Sequence, residues 1–177
     1  MSITSIGIDL SLVGTGVVLL IDGKVVAKEL IKSKPVGDKP INELNRIRKI
    51  VGDIRDKLPF ENVDIAVIEG LAFMAKGNSL VQLSALNYMT RAMLADRNIP
   101  FVIVAPTSLK KFVTGSGNAK KDEMLLATFK RWGVSILDDN VCDAYGLAQM
   151  GLAILGGNSK ATNKVQEQDL EKFKKQL

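Results

Sequence analysis

Hydrophobic residues fall along this chain in two rhythms. Ser5-Ile-Gly-Ile-Asp9 is a short apolar run closed by a carboxylate, and Gly14 to Ile21 is another, with Val17, Val18, Leu19 and Leu20 in succession. Asp22-Gly23 is a two-residue hairpin signal. Lys24 to Ile31 follows as a strand, so the chain opens with a three-stranded meander. Ser33 to Lys39 is polar and holds Pro35 and Gly37, which predicts a loop. From Ile41 the period changes. Leu44, Ile47, Ile50, Val51, Ile54 and Leu58 recur at helical spacing. Val63 to Glu69 is a buried strand that ends in a second carboxylate. Ser79 to Arg97 is again helical, with Leu80, Leu83, Leu86, Met89, Met93 and Leu94. Phe101 to Val104 is a short strand stopped by Pro106, and Pro106 to Val113 fits a short helix with proline near its start. Gly115-Ser-Gly-Asn118 is a loop, Lys120 to Trp132 is helical, and Asp138-Asp-Asn140 can cap a last apolar helix that runs to about Leu155.

The long elements run β-β-β-α-β-α-β-α-α, and no internal repeat interrupts them. A meander followed by βαβ units predicts an α/β domain whose mixed sheet carries helices on both faces. At 177 residues the chain is the size of one domain. Residues 1–157 form that domain. Residues 158–177 are a polar, charged tail, for which a peripheral helix and partial disorder both stay open.

Composition narrows the chemistry. The chain has no histidine and one cysteine. That excludes a Ser-His-Asp triad, an imidazole base, a His-ligated metal and a disulfide framework. Hydrolysis, if present, must use carboxylates, lysines, a hydroxyl or an oxygen-bound metal. No apolar run reaches the roughly 18 residues of a membrane helix, and Met1-Ser-Ile-Thr-Ser lacks a basic leader region. The expectation is a cytoplasmic chain with no membrane partner. The net charge is +5. Most of it lies in residues 105–131, where Lys110, Lys111, Lys120, Lys121, Lys130 and Arg131 face only Asp122 and Glu123. A solvated helix face and a phosphate-contacting patch both explain this.

Three carboxylates hold informative places. Asp9 and Glu69 each end an apolar strand; if those strands are parallel and adjacent, both side chains emerge at one sheet edge. Asp143 lies near the start of the last helix, with Asp139 and Asn140 one turn earlier on roughly the same face. Acids packed together repel and raise each other's pKa. A divalent cation with a preference for hard oxygen, Mg²⁺ or Mn²⁺, relieves this. Two such ions can drive phosphodiester hydrolysis. Each acid also has a plain explanation: a turn residue, a solvated strand end, a partner of the helix dipole.

At these residues the chain resembles the RuvC family of Holliday-junction resolvases, within the RNase H-like superfamily, over about residues 4–155. The likeness lies in Gly7-Ile-Asp9-Leu-Ser with Gly14-Thr-Gly16, in Ile68-Glu69 with Phe73-Met-Ala-Lys76, in Pro106 to Lys121, and in Asn140-Val-Cys-Asp143-Ala144. It implies an RNase H-like mixed five-stranded sheet flanked by helices. It also implies a homodimeric, Mg²⁺-dependent endodeoxyribonuclease that nicks symmetric strands of four-way and other branched DNA, leaving 5′-phosphate and 3′-hydroxyl ends. Two ions serve each site, and Mn²⁺ substitutes. By the same resemblance Asp9, Glu69 and Asp143 ligate metal, and Lys110 and Lys121 bind the scissile phosphate. Phe73 and Lys76 meet the junction centre, and Lys111 and Lys120 contact the DNA backbone. The helix Ser79–Arg97 helps form the dimer. The family places an acid or histidine where this chain has Asn140, so Asp139 and Asn140 both stand for the fourth ligand position. Cys142 and Trp132 read as core. The compact single-domain form is similar to phage-encoded members. Two alternatives are a non-catalytic branched-DNA binder and, at lower weight, a one-lobe relative of actin-like ATPases, suggested by Gly-Ile-Asp-Leu-Ser and Gly-Thr-Gly.

Overall fold

All six residues of the first strand, β1 (Thr4–Asp9), are buried, because helices cover the sheet on both faces. The computed structural model describes residues 2–57, 59–71, 77–157 and 170–177. Strand β2 (Gly14–Ile21) runs antiparallel to β1, with Gly16 opposite Asp9, and β3 (Lys24–Lys32) runs antiparallel to β2, with Lys32 opposite Gly14. The Asp22-Gly23 turn forms as predicted, both residues at positive φ. Helix α1 (Pro40–Lys57) leads to β4 (Ile65–Glu69), which lies parallel to β1 on its other side. The predicted strand from Val63 starts two residues late. Asp64 instead donates its N–H to Thr4 O at 3.0 Å, and its carboxylate accepts from Thr4 N at 2.7 Å. Helix α2 (Asn78–Ala95) and strand β5 (Phe101–Val104), parallel to β4, complete a five-stranded sheet of order β3-β2-β1-β4-β5. Helices α3 (Pro106–Thr114), α4 (Lys121–Trp132) and α5 (Asp139–Ile154) follow.

Strand alternation sorts the core into two layers. Ile6, Ile8, Val17, Leu19, Ala66 and Ile68 pack with Ile47, Ile50, Ile54, Leu86 and Leu94 of α1 and α2. On the opposite face, Ile65 and Val67 meet Leu109, Val113, Leu147 and Met150, while Val18 and Leu20 meet Ala144, Tyr145 and Ala148. Asp9 shares the parity of Gly7, and Glu69 that of Ile65 and Val67. Both acids therefore stand on the α5 side of the sheet.

Helix α5 sits on the sheet with almost no side-chain layer between them. A Cβ on Gly7 would lie 1.9 Å from Ala144 O, and one on Gly16 would lie 2.1 Å from Asn140 O. Only glycine permits this backbone-to-backbone approach, and it brings the first turn of α5 directly over the ends of β1 and β2.

At the far edge, residues 170–174 form a helical turn whose Leu170 and Phe173 are buried against the α3–α4–α5 layer. Gln176 then fills the outer side of β5: Ile103 N donates to its Oε1 at 2.9 Å, and its Nε2 donates to Ile103 O at 3.2 Å. Residues 158–169 lie outside the described residues.

Candidate active site

The parallel pairing of β1 and β4 places Asp9 and Glu69 at one end of the sheet, and α5 delivers Asp143 to the same place. Asp9 is only 6% exposed. Burial, then the Glu69 carboxylate, then Asp138 push its pKa well above the ordinary carboxylate range. The two strand-end acids act on one another across the end of the sheet. Glu69 is also raised, chiefly by burial, with Asp143 adding repulsion and Lys110 offsetting it. Asp143 is pushed up to about 7 by burial and by the charges of Asp9 and Asp139. These are three acids without enough positive charge to balance them.

Two lysines lie in the field of this cluster. Lys110, half-buried on α3, acts on Glu69 and Asp143. Lys121, the first residue of α4, acts on Asp9 and Asp143 and bonds Asp139 Oδ2 at 2.8 Å. The structure thus brings together Asp9, Glu69, Asp143, Lys110, Lys121 and Asp139. Asp139 and Asn140 both precede Asp143 by one turn: Asp139 engages Lys121, while the Asn140 amide lies against Gly14, where a Cβ would come within 3.3 Å of its Nδ2. Lys111 is half-buried on α3, and Lys120 is exposed at the start of α4, its N–H held by Glu123 at 2.7 Å. Phe73 and Lys76 lie outside the described residues. Arg131, counted with the basic stretch, is turned inward instead: its Nη1 donates to the carbonyls of Phe112 and Val113.

No protein-family model matches the chain. Among curated proteins, the crossover junction endodeoxyribonuclease RuvC of Carboxydothermus hydrogenoformans is 28% identical over 156 residues, which cover 86% of this chain and 97% of that protein. The RuvC of Prochlorococcus marinus is 33% identical over 114 residues, covering 62% of this chain and 72% of its own length. The chain belongs to the RuvC family. Its fold also matches a solved RuvC, that of Thermus thermophilus in complex with a Holliday junction substrate, with a TM-score of 0.72 at 17% identity over 87% of this chain and 96% of that one. The RuvC assignment removes the basis for the one-lobe ATPase alternative, and the sheet is the RNase H-like one expected.

Within this RuvC framework the donor set fits a hard divalent cation in kind: buried carboxylate oxygens whose mutual repulsion is unrelieved. Among the described residues, no three carboxylate or thiol groups are arranged to hold an ion as they stand. The acids are near enough to perturb one another. The lone thiol is not part of this chemistry. Cys142 is buried beside Thr128 Oγ1 at 3.3 Å, and burial pushes its thiol up to about 11, so it stays protonated.

Sequence reasoning missed three supporting residues. Asn87 of α2 is fully buried, and its Nδ2 donates to Glu69 O at 3.4 Å. Its signal was a polar residue inside the apolar stripe of Leu83, Leu86 and Met93. Arg46 of α1 donates from Nη2 to Leu12 O, tying down the loop that follows Asp9. Asp138, expected only as a cap, does accept from Asn140 N and Val141 N, but its charge also reaches Asp9.

Proposed function

We propose that this chain is a Holliday-junction resolvase, a structure-selective endodeoxyribonuclease that nicks symmetric strands of four-way DNA. The observation that carries this reading is the meeting of Asp9, Glu69 and Asp143 at one end of the sheet, with Lys110 and Lys121 in their field, in a chain of the RuvC family. In this reading Asp9, Glu69 and Asp143 would hold two Mg²⁺ ions, with Asp139, whose charge acts on Asp143, or Asn140 adding a fourth oxygen. Ions held there would supply activation of the attacking water and stabilisation of the leaving 3′ oxygen. Lys110 orients the scissile phosphate and donates to its non-bridging oxygens as negative charge builds there. Lys121, whose charge acts on Asp9 and Asp143, would serve the same phosphate. Lys111 and Lys120 hold flanking backbone, and Phe73 and Lys76 act at the junction centre.

A four-way junction presents two equivalent strands, so paired nicks call for two copies of the site. The homodimer proposed here uses α2, where Val81 and Tyr88 are 63% and 65% exposed. The test is a nicking assay on an end-labelled four-way junction with Mg²⁺, with Mn²⁺ and with EDTA, run beside gel-shift binding. Asp9→Asn and Glu69→Gln should bind the junction at least as well as wild type and leave it intact. Near-normal nicking by either variant contradicts the site. Binding without nicking by the wild type would instead support a non-catalytic branched-DNA protein.

A further inference from the structure

A second cationic feature lies on the opposite side of the acids from α3 and α4. Between the end of β3 and α1 is a groove of about 500 Å³, lined by Lys32, Lys34, Arg46 and Lys49 against one carboxylate, Asp53. Lys49 is neutralised, since its Nζ lies 2.6 Å from Asp53 Oδ2. Lys57, Lys121 and Lys174 likewise pair with Glu29, Asp139 and Glu171. Among the described residues Lys32 and Lys34 have no such partner, although both are exposed. Arg46 is held by uncharged acceptors, Ser33 Oγ at 2.8 Å and Leu12 O, so its charge is not cancelled. Three uncompensated cations therefore share one concave surface.

The register ties this groove to the acids. Lys32 is opposite Gly14 on β2, and Gly16, two residues along, is opposite Asp9. Lys32 thus stands at the same end of the sheet as Asp9, two strand spacings across and two residues along, or about 12 Å between backbones. That is about the width of the B-DNA major groove. Arg46 joins groove and acid loop physically, because one guanidinium bonds both Ser33 and Leu12. An adjoining hollow of about 410 Å³, reaching Val13 and Asn78, carries Asp38 and Glu43, which confines an anion to the Lys32–Lys34 end.

We propose that this groove seats the phosphodiester backbone of the DNA arm that leaves the cleavage site on the β3 side. Two long, mobile lysines and a fixed arginine on an open surface suit a continuous phosphate backbone: they supply charge without groups that select a base. The inference rests on the DNA reading given above. It assigns that reading a second track: Lys110 and Lys121 hold the scissile phosphate, and Lys32, Lys34 and Arg46 hold the arm beyond it.

The test is gel-shift affinity for a fixed four-way junction, without divalent metal, across a salt series. Lys32→Ala/Lys34→Ala should weaken binding about tenfold and make the log–log salt dependence shallower by about two, one per lost phosphate contact. Lys174→Ala/Lys175→Ala, which removes the same charge at the opposite sheet edge, should stay within twofold of wild type. Wild-type affinity and slope in the first variant overturn the proposal, and so does an equal loss in the second, which would reduce the effect to net charge. In a second measurement Lys34→Cys carries a tethered photocrosslinker. Cys142 is buried, so the label is confined to position 34. Crosslinks should map to the backbone of one arm, and their absence at saturating protein counts against the track. A wild-type chain that neither binds nor nicks junctions would defeat the function itself, an outcome distinct from either of these.

Discussion

The acid cluster makes a prediction about stability that needs no DNA. Asp143 is held at about 7 in place of the ordinary 3.8. A carboxyl raised by folding binds its proton more tightly in the native state than in the unfolded one. Its contribution is therefore favourable below pH about 4 and is lost as pH rises through about 7. At about 1.4 kcal/mol per pH unit the full cost approaches 4 kcal/mol above pH 8. This is an upper bound, because the side chain can turn toward water and toward Lys110. Asp143→Asn keeps the shape and removes the charge. For a chain of this size about 2–4 °C of Tm accompanies each kcal/mol. In EDTA at pH 8 the variant should therefore melt above wild type, by up to about 8–16 °C, with the gap closing by pH 4. Mg²⁺ should raise the wild-type Tm more than that of the variant, narrowing the difference. The assay is calorimetry from pH 4 to 8, with and without metal. Equal melting at pH 8 in EDTA, or a gap that does not change with pH, would refute the claim that Asp143 is buried and uncompensated.

Four other outcomes are expected. Lys110→Ala should slow single-turnover nicking at saturating protein by roughly 10²-fold, the scale of losing one donor to a developing charge, whereas Lys111→Ala and Lys120→Ala should lower affinity and leave that rate near wild type. Gly7→Ala and Gly16→Ala must push α5 off the sheet and should cost about 1–3 kcal/mol or more in denaturant melts, together with nicking; Gly14→Ala, whose Cβ meets only side-chain ends, Asn140 Nδ2 at 3.3 Å and Leu30 Cδ1 at 3.4 Å, should be mild. Phe173→Ala should cost about 3 kcal/mol and promote aggregation by freeing the outer side of β5, read by light scattering on heating. Cys142 should resist thiol reagents in the native protein and react on unfolding, as followed by mass spectrometry.

Much of this architecture is legible in the pattern of residues. The hairpin, the amphipathic α1 and the strand ends at Asp9 and Glu69 follow from period and turn chemistry, and the shared sheet end of the two acids follows once their strands are parallel neighbours. What resisted reading depends on partners distant in sequence. Nothing in the string shows that Gly7 meets Ala144, or that a glutamine in a polar tail would fill the outer side of Ile103. Arg131 looks like one more surface cation, yet two carbonyls of α3 absorb its donors. Asn87 interrupts an apolar stripe, but only the packed fold shows that its amide meets the carbonyl of Glu69. Asp139 and Asn140 are neighbours in sequence with opposite fates, decided by whether the side chain meets Lys121 or the start of β2.

The two outer strands have a consequence for how copies of this chain can meet. A sheet with an open side invites another chain to add a strand. On the β5 side the outward N–H and C=O of Ile103 are already taken by Gln176. On the β3 side Lys24, Lys28 and Lys32 recur along the strand, and a second copy laid against it would bring like charges together. Growth of one continuous sheet across two molecules is thus disfavoured at both edges. In a pair that joins through helical faces instead, the separation of the two acid clusters is set by how those helices cross, independent of any strand register.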